Sequence, residues 1–244
     1  MSKYDTLANP PIQQALIGVM VEPVQPFANL ERIPPILSKK YPLCEPFHNK
    51  SVFINIAPEG DIKSQNIHGT QQGYNLFSEN RKKQINVSTL NVVMLDAAKY
   101  KNGEHLIKQY REIWNAYIKY TKPERLKRVG LRYINHFFMT PTEADKNLQI
   151  KPVINFEGKS KLLLAGLAGQ YAVRSDLYRA NGNLAISATP QPNGKLSITF
   201  DIDVFDQEIP YVDFASIEDT LNRLRDFKNQ LFFDNITDAR KRFK

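Results

Sequence analysis

Residues 125–138 read RLKRVGLRYINHFF. The first part is basic, through Arg125, Lys127 and Arg128, and from Val129 onward the stretch turns β-branched and aromatic, which predicts a strand over Val129–Met139. Pro123 stands just ahead of it. A residue before proline avoids the α region, so a preceding helix must end there. That helix is predicted over His105–Tyr120, where Leu106, Ile107, Tyr110, Ile113, Trp114, Tyr117 and Ile118 recur at helical spacing, with Lys108, Arg111, Lys119 and Lys122 to the other side. Arg125, Lys127 and Arg128 are expected to be exposed, and Val129, Leu131 and Tyr133 to alternate as a half-buried strand does.

Outward from this junction the chain is strand-rich. Ile12–Val21 reads as a first strand bounded by prolines on both sides. Phe27–Lys40 has helical spacing that Pro34 and Pro35 should kink or split. Strands are predicted at Val52–Ala57, Gly73–Ser78 and Gln84–Leu95, the last bending near Thr89. Downstream, Leu162–Tyr178, Asn183–Thr189 and Lys195–Phe205 read as an antiparallel meander with turns at Asn181-Gly182 and Asn193-Gly194. A helix over Ile217–Phe232, capped by Ser216, and a short basic helix over Asp238–Phe243 end the chain. Strands punctuated by single helices predict an α+β fold, curved antiparallel sheets with helices packed on one face. The polar, proline-led segment Thr140–Asn147 is the expected linker, dividing an N-terminal half, residues 1–140, from a C-terminal half, residues 148–244. No repeat period is evident.

Composition narrows the class. The 244 residues are 42% hydrophobic and 24% charged, which is ordinary for a globular protein. The chain lacks a membrane-length apolar run and a signal-peptide pattern, and its single cysteine, Cys44, a small core or loop residue, cannot form an internal disulfide; a cytoplasmic protein with no membrane partner is expected. The formal charge of +8 is local: Lys99 to Arg132 holds ten cations against Glu104, Glu112 and Glu124. A charge concentrated on one segment has the form of a phosphate footprint, although lysines on a helix also simply face water.

Candidate site residues follow from this. Lys119, Lys122, Arg125, Lys127 and Arg128 form the basic segment, and Tyr117, Tyr120 and Tyr133 are interleaved for base stacking. Strand alternation puts Arg132 and Asn135 on opposite faces; Arg132 either pairs with a carboxylate on a neighbouring strand or binds an anionic ligand, and Asn135 satisfies backbone groups. Asp201 and Asp203 share one strand face. They are candidate metal ligands with Asp176 or Asp206 as a third, or else a face paired with Arg174 and Arg179. His48, His68, His105 and His136 have no zinc spacing, and no serine elbow, dinucleotide fingerprint or phosphate loop occurs, so no cofactor is expected.

The segments NPPIQQALIGVMVEP, GLRYINHF, SITFDIDVF and LFFDNITDARKRF together resemble a sporadically distributed prokaryotic family of uncharacterised proteins of similar length, with GLRYIN, residues 130–135, as its hallmark. That resemblance implies no reaction; it implies a gene that travels with mobile defence or toxin-antitoxin loci. The expected role is a non-catalytic binding component for a protein partner or an anionic ligand. The alternatives are a nucleic-acid binder using residues 119–132 and a metal-dependent enzyme using Asp201 and Asp203.

Overall fold

In the computed structural model, which describes residues 7–56, 62–149, 167–207 and 209–243, the quoted stretch is the middle of β6 (Leu126–Met139). β6 lies between β1 (Ile12–Val21) and β9 (Leu196–Asp206), antiparallel to both. Its alternation sorts side chains to two faces. Val129, Leu131, Tyr133, Asn135, Phe137 and Met139 are buried, while Arg132, Ile134, His136 and Phe138 point the other way.

The remaining strands extend this centre. In the first half come β2 (Leu43–Ile56), β3 (Ile62–Phe77), β4 (Lys83–Ser88) and β5 (Asn91–Asp96); in the second, β7 (Leu167–Ser175) and β8 (Ala180–Pro190). Together they make a nine-stranded sheet ordered β2-β3-β4-β5-β1-β6-β9-β8-β7, with every pairing antiparallel. Two long helices, α2 (Gly103–Thr121) and α4 (Phe214–Asn235), pack side by side on one face. The α+β architecture with helices on one face is as the alternation predicts.

Two turns show how local chemistry shapes this frame. β4 and β5 separate at Thr89-Leu90, because the Ser88 hydroxyl accepts from the amides of Leu90 and Asn91 at 3.2 and 3.1 Å. Gly73 lets β3 run close beside β4; a Cβ there would lie 1.9 Å from the Val87 carbonyl oxygen.

A similar order of elements occurs twice, with a four-strand meander in the first unit and three described meander strands in the second. A central strand, β1 or β6, is followed by a short helix, α1 (Ile33–Leu37) or α3 (Pro141–Asn147). A meander then returns to that central strand, and a long helix, α2 or α4, closes the unit. Because β1 and β6 pair antiparallel with Gly18 facing Gly130, the two units are related by an approximate dyad at that pair. The first unit therefore ends at α2, ahead of β6, and both units contribute to one sheet.

Several local expectations change. Thr140–Asn147 is helix α3, not an open linker. Thr140 and Glu143 form a reciprocal cap at 3.2 and 2.7 Å, and Arg242 holds the Glu143 carboxylate at 2.9 Å. The amide and hydroxyl of Thr140, with Arg242, keep that carboxyl low, at about 2. Asn181-Gly182 lies inside β8; the turn is Asp176–Arg179, with Arg179 at φ 46°. Gly194, at φ 74°, does make the second turn. α4 is capped by Asp213, which accepts from the Ser216 amide at 2.9 Å, so Ser216 is the residue being capped. Phe27–Arg32 is a 3-10 turn ahead of α1, the split that Pro34 and Pro35 impose. Cys44 is exposed on β2. Residues 57 and 162–166 of the predicted strands lie outside the described residues. Among the described residues no helix is long and apolar enough to cross a membrane.

The helix–sheet layer buries one unexpected charge. Lys228 of α4 is 7% exposed, with its ammonium 4.2 Å above the centre of the Tyr133 ring. Burial, reinforced by the like charge of Arg225 and opposed by Asp226, pushes it down to about 7 from its ordinary 10.5. Between those two values the folded chain binds fewer protons than the unfolded chain, so Lys228 makes stability rise with pH across this window. Lys228→Met should therefore raise the melting temperature most at and below pH 7, with the gain shrinking toward pH 10.5, as a thermal denaturation series in pH will show. Leu131, 1% exposed on the covered face of β6, sets the scale for the core: Leu131→Ala should cost about 2–5 kcal/mol in denaturant unfolding.

Candidate functional site on the open face of the sheet

The face of the sheet away from α2 and α4 carries polar and charged side chains at its centre. β6 contributes Arg128, Arg132, Ile134 and His136, and β9 contributes Ser197, Thr199, Asp201, Asp203 and Phe205. In register, Arg132 faces Asp203 and Ile134 faces Asp201. The ion pairs run diagonally across this register. Arg132 grips Asp201 through Nε at 2.9 Å and Nη2 at 2.5 Å, and Arg128 reaches Asp203 from Nη2 at 2.8 and 3.0 Å.

Gly130 makes the second reach possible. The Arg128 side chain folds back over it, so that a Cβ at Gly130 would lie 2.8 Å from Arg128 Nη1. The guanidinium carbon then sits 4.3 Å from the centre of the Phe205 ring on the adjacent strand. The glycine of GLRYIN is thus a flat berth for a guanidinium. The bond to Asp201, with the charges of Asp201 and Asp203, holds Arg132 above its ordinary value.

Beside the pairs is a depression of about 470 Å³, bounded by Arg132, Asp201, Asp203, Asn183 and Gln170 and running over Ala172 and Ala185. The register explains it. Asp203 faces Asn183, which faces Ala172, and Asp201 faces Ala185, which faces Gln170, so two alanines leave room among longer polar neighbours.

The structure separates the other candidates. Arg128 joins Arg132 at the open face and is only 24% exposed at its side chain, not a free cation of a loop. Lys119, Lys122, Arg125 and Lys127 lie toward the end of α2 and the start of β6. Lys122 caps α2 at φ 45°, the Lys119 ammonium lies 5.3 Å from the Tyr120 ring, and Arg125 is 3.9 Å from Glu22 with both side chains exposed. Lys127 is exposed where the pairing of β1 with β6 shifts by a residue. Tyr133 and Asn135 do not join these cations. They are 0% and 3% exposed on the covered face, where the Asn135 amide donates to the Phe200 carbonyl at 3.0 Å and the Tyr133 and Tyr100 hydroxyls meet at 3.2 Å. Tyr117 is buried as well, and its hydroxyl donates to Ser88 O.

Asp201 and Asp203 do share a face with arginines, but these are Arg132 and Arg128. Arg174 lies 3.4 Å from Asp176 in an exposed pair, and Arg179 offers its carbonyl to Arg223. Asp206 is on the covered face, held by Arg223 at 2.6 Å. Among the described residues no three carboxylate, histidine or cysteine groups converge as a metal cage. Sequence reasoning did not pick out Asn183, Gln170, Ala172 or Ala185. Their outward parity on the meander strands was legible, but which strand lies beside β9 was not.

The two ends of the basic segment should respond differently. Arg128→Met and Asp203→Asn in a double-mutant cycle should show coupling of about 1–2 kcal/mol, between the values for exposed and fully buried pairs. Lys127→Glu should stay within about 0.5 kcal/mol of the parent in the same unfolding assay. Neither a family model nor a curated protein matches the chain.

Proposed function

We propose that this chain is a non-catalytic binding component that receives a protein partner on the open face of its sheet. The observation that carries this is the pair of neighbouring ion pairs, Arg132–Asp201 and Arg128–Asp203, at the edge of a depression over Ala172 and Ala185. Each of these guanidiniums already holds a carboxylate, so neither Arg128 nor Arg132 is a bare cation for a free anion. Each carboxylate already holds a guanidinium, whose positive charge opposes a divalent cation beside it. A protein surface suits such a face: it brings donors and acceptors together, can exchange partners with the pairs, and can place a side chain in the depression. A partnership of this kind accords with the defence or toxin-antitoxin association that the GLRYIN resemblance implies.

A second reading rests on a different observation. Lys119, Lys122 and Lys127 are exposed and, among the described residues, pair with no carboxylate, which leaves them to phosphates.

Two variants separate the readings. Ala185→Trp with Asp203→Lys fills and recharges the depression, and Lys122→Glu with Lys127→Glu reverses the basic segment. With the partner identified by cross-linking in the native host, the first variant should weaken binding by at least about tenfold, and the second should leave it unchanged. An unchanged affinity in the first variant would overturn the assignment to the open face. Fluorescence anisotropy with labelled single- and double-stranded oligonucleotides tests the second reading; binding that falls steeply with salt and disappears in the Lys122→Glu, Lys127→Glu variant would transfer the function to nucleic acid.

A further inference from the structure

The approximate dyad at the Gly18–Gly130 pair gives the open face two berths of one design, and the chain covers only one of them. At Gly130 the floor is glycine, Phe205 stands opposite on β9, and the Arg128 guanidinium lies over the position, its carbon 3.1 Å from where a Cβ would be. Gly130 is buried beneath it.

The dyad carries Gly130 to Gly18, Phe205 to Val93, Arg128 to Leu16 and Asp203 to Asn91. Leu16 does not close over Gly18 as Arg128 closes over Gly130. Chain neighbours aside, the one atom of the described residues within 4 Å of a Cβ built at Gly18 is Val93 Cγ2, at an ordinary 3.6 Å, and Gly18 is part-exposed. Its φ is not positive, and no neighbour would clash with a side chain as the Val87 carbonyl would at Gly73. Neither backbone conformation nor packing therefore requires glycine at 18, a residue that weakens a strand. What it supplies is open space above the sheet.

The rim decides what fits that space. Leu16 and Val93 are half-buried, Met20 is 41% exposed, and Asn91 stands where the second unit has Asp203. Asn91 offers no charge to a cation, and the Arg128 guanidinium on the next strand repels one. An anion would lose its hydration against three apolar side chains. A flat, uncharged group meets neither cost. Directly opposed residues of an antiparallel pair are about 4.5–5.5 Å apart, so a ring over Gly18 comes within about 6 Å of the guanidinium over Gly130. Phe205 already makes such a contact from β9, at 4.3 Å, and the Arg128 side chain keeps 24% of its surface open to another. The Met20 thioether adds a sulfur that favours an aromatic neighbour.

We propose that the partner received on the open face anchors an aromatic side chain over Gly18, between Leu16, Met20 and Val93 and against the Arg128 guanidinium. This rests on the reading of the open face as the partner's seat, and it states what the partner presents there.

Methyl NMR of the full chain, read at Leu16, Met20 and Val93, tests this. The aromatic probes are N-acetyl-tryptophanamide, N-acetyl-tyrosinamide and N-acetyl-phenylalaninamide, with N-acetyl-cyclohexylalaninamide as the saturated one. At least one aromatic probe should move these methyls upfield and saturate by about 20 mM, and the saturated probe should bind at least about threefold more weakly. Gly18→Val fills the berth through an ordinary van der Waals contact, which keeps the fold, and should abolish the shifts. No upfield shift from any aromatic probe, equal affinity for the saturated one, or shifts retained in Gly18→Val would each overturn the proposal. The partner identified by cross-linking separates the two readings. Its binding lost in Ala185→Trp with Asp203→Lys but kept in Gly18→Val would overturn this inference and leave the open-face reading standing; binding kept in both variants would overturn that reading and this one with it.

Discussion

The rest of the molecule hangs on the antiparallel pairing of β1 with β6. Ten-residue β1 and fourteen-residue β6 meet with Gly18 opposite Gly130, and each then collects the meander of its own unit on its outer edge. Because side chains alternate strictly along a strand, this one register decides which half of every neighbouring strand faces α2 and α4 and which half faces away. A slip of one residue would put Arg132 under the helices and Leu131 in water. The register is held by Ala15, Ile17, Val19 and Val21 on one strand and Val129, Leu131 and Tyr133 on the other, all at most 1% exposed.

An approximate dyad in the backbone does not produce a dyad in chemistry. Around the Gly18–Gly130 pair the first unit sets Leu16, Met20, Asn91 and Val93 where the second sets Arg128, Arg132, Asp203 and Phe205. In the helix layer Trp114 faces the start of α4, and Arg225 faces the start of α2. The first unit is neutral in both places and the second is charged in both. The first unit works mainly as scaffold: its aromatic side chains Tyr110, Trp114 and Tyr117 fill the core and send their polar atoms to backbone carbonyls.

The two faces treat charge differently. On the open face Arg128 and Arg132 are matched by Asp203 and Asp201. Under the helices neither Arg225 nor Lys228 forms an ion pair among the described residues, and Lys228 is kept on an aromatic ring. An unmatched buried cation lowers stability, and only the surrounding apolar packing sustains it.

Much of this was legible in the sequence by itself. Period-two alternation located β1, β6 and β9 and put Arg132 and Asn135 on opposite faces; period-3.6 stripes located α2 and α4; Asn193-Gly194 marked a true turn. All of these are decided by neighbours within a few residues, where the covalent chain sets the distances. The tertiary structure alone decided the rest. Arg128 reads as a loop cation until β9 arrives beside it with Asp203 and Phe205, and Tyr133 reads as a stacking platform until α4 closes over it. Asn181-Gly182 reads as a turn until β9 pairs with it and draws it into β8. The duplicated order of elements leaves no repeat in the residues, because only the backbone geometry and the buried stripes are common to both units. Alternation tells that a strand has two faces; which face a helix covers, and which strand supplies the partner across it, depends on residues far along the chain, 75 positions apart for Arg128 and Asp203, that only the folded chain brings into contact.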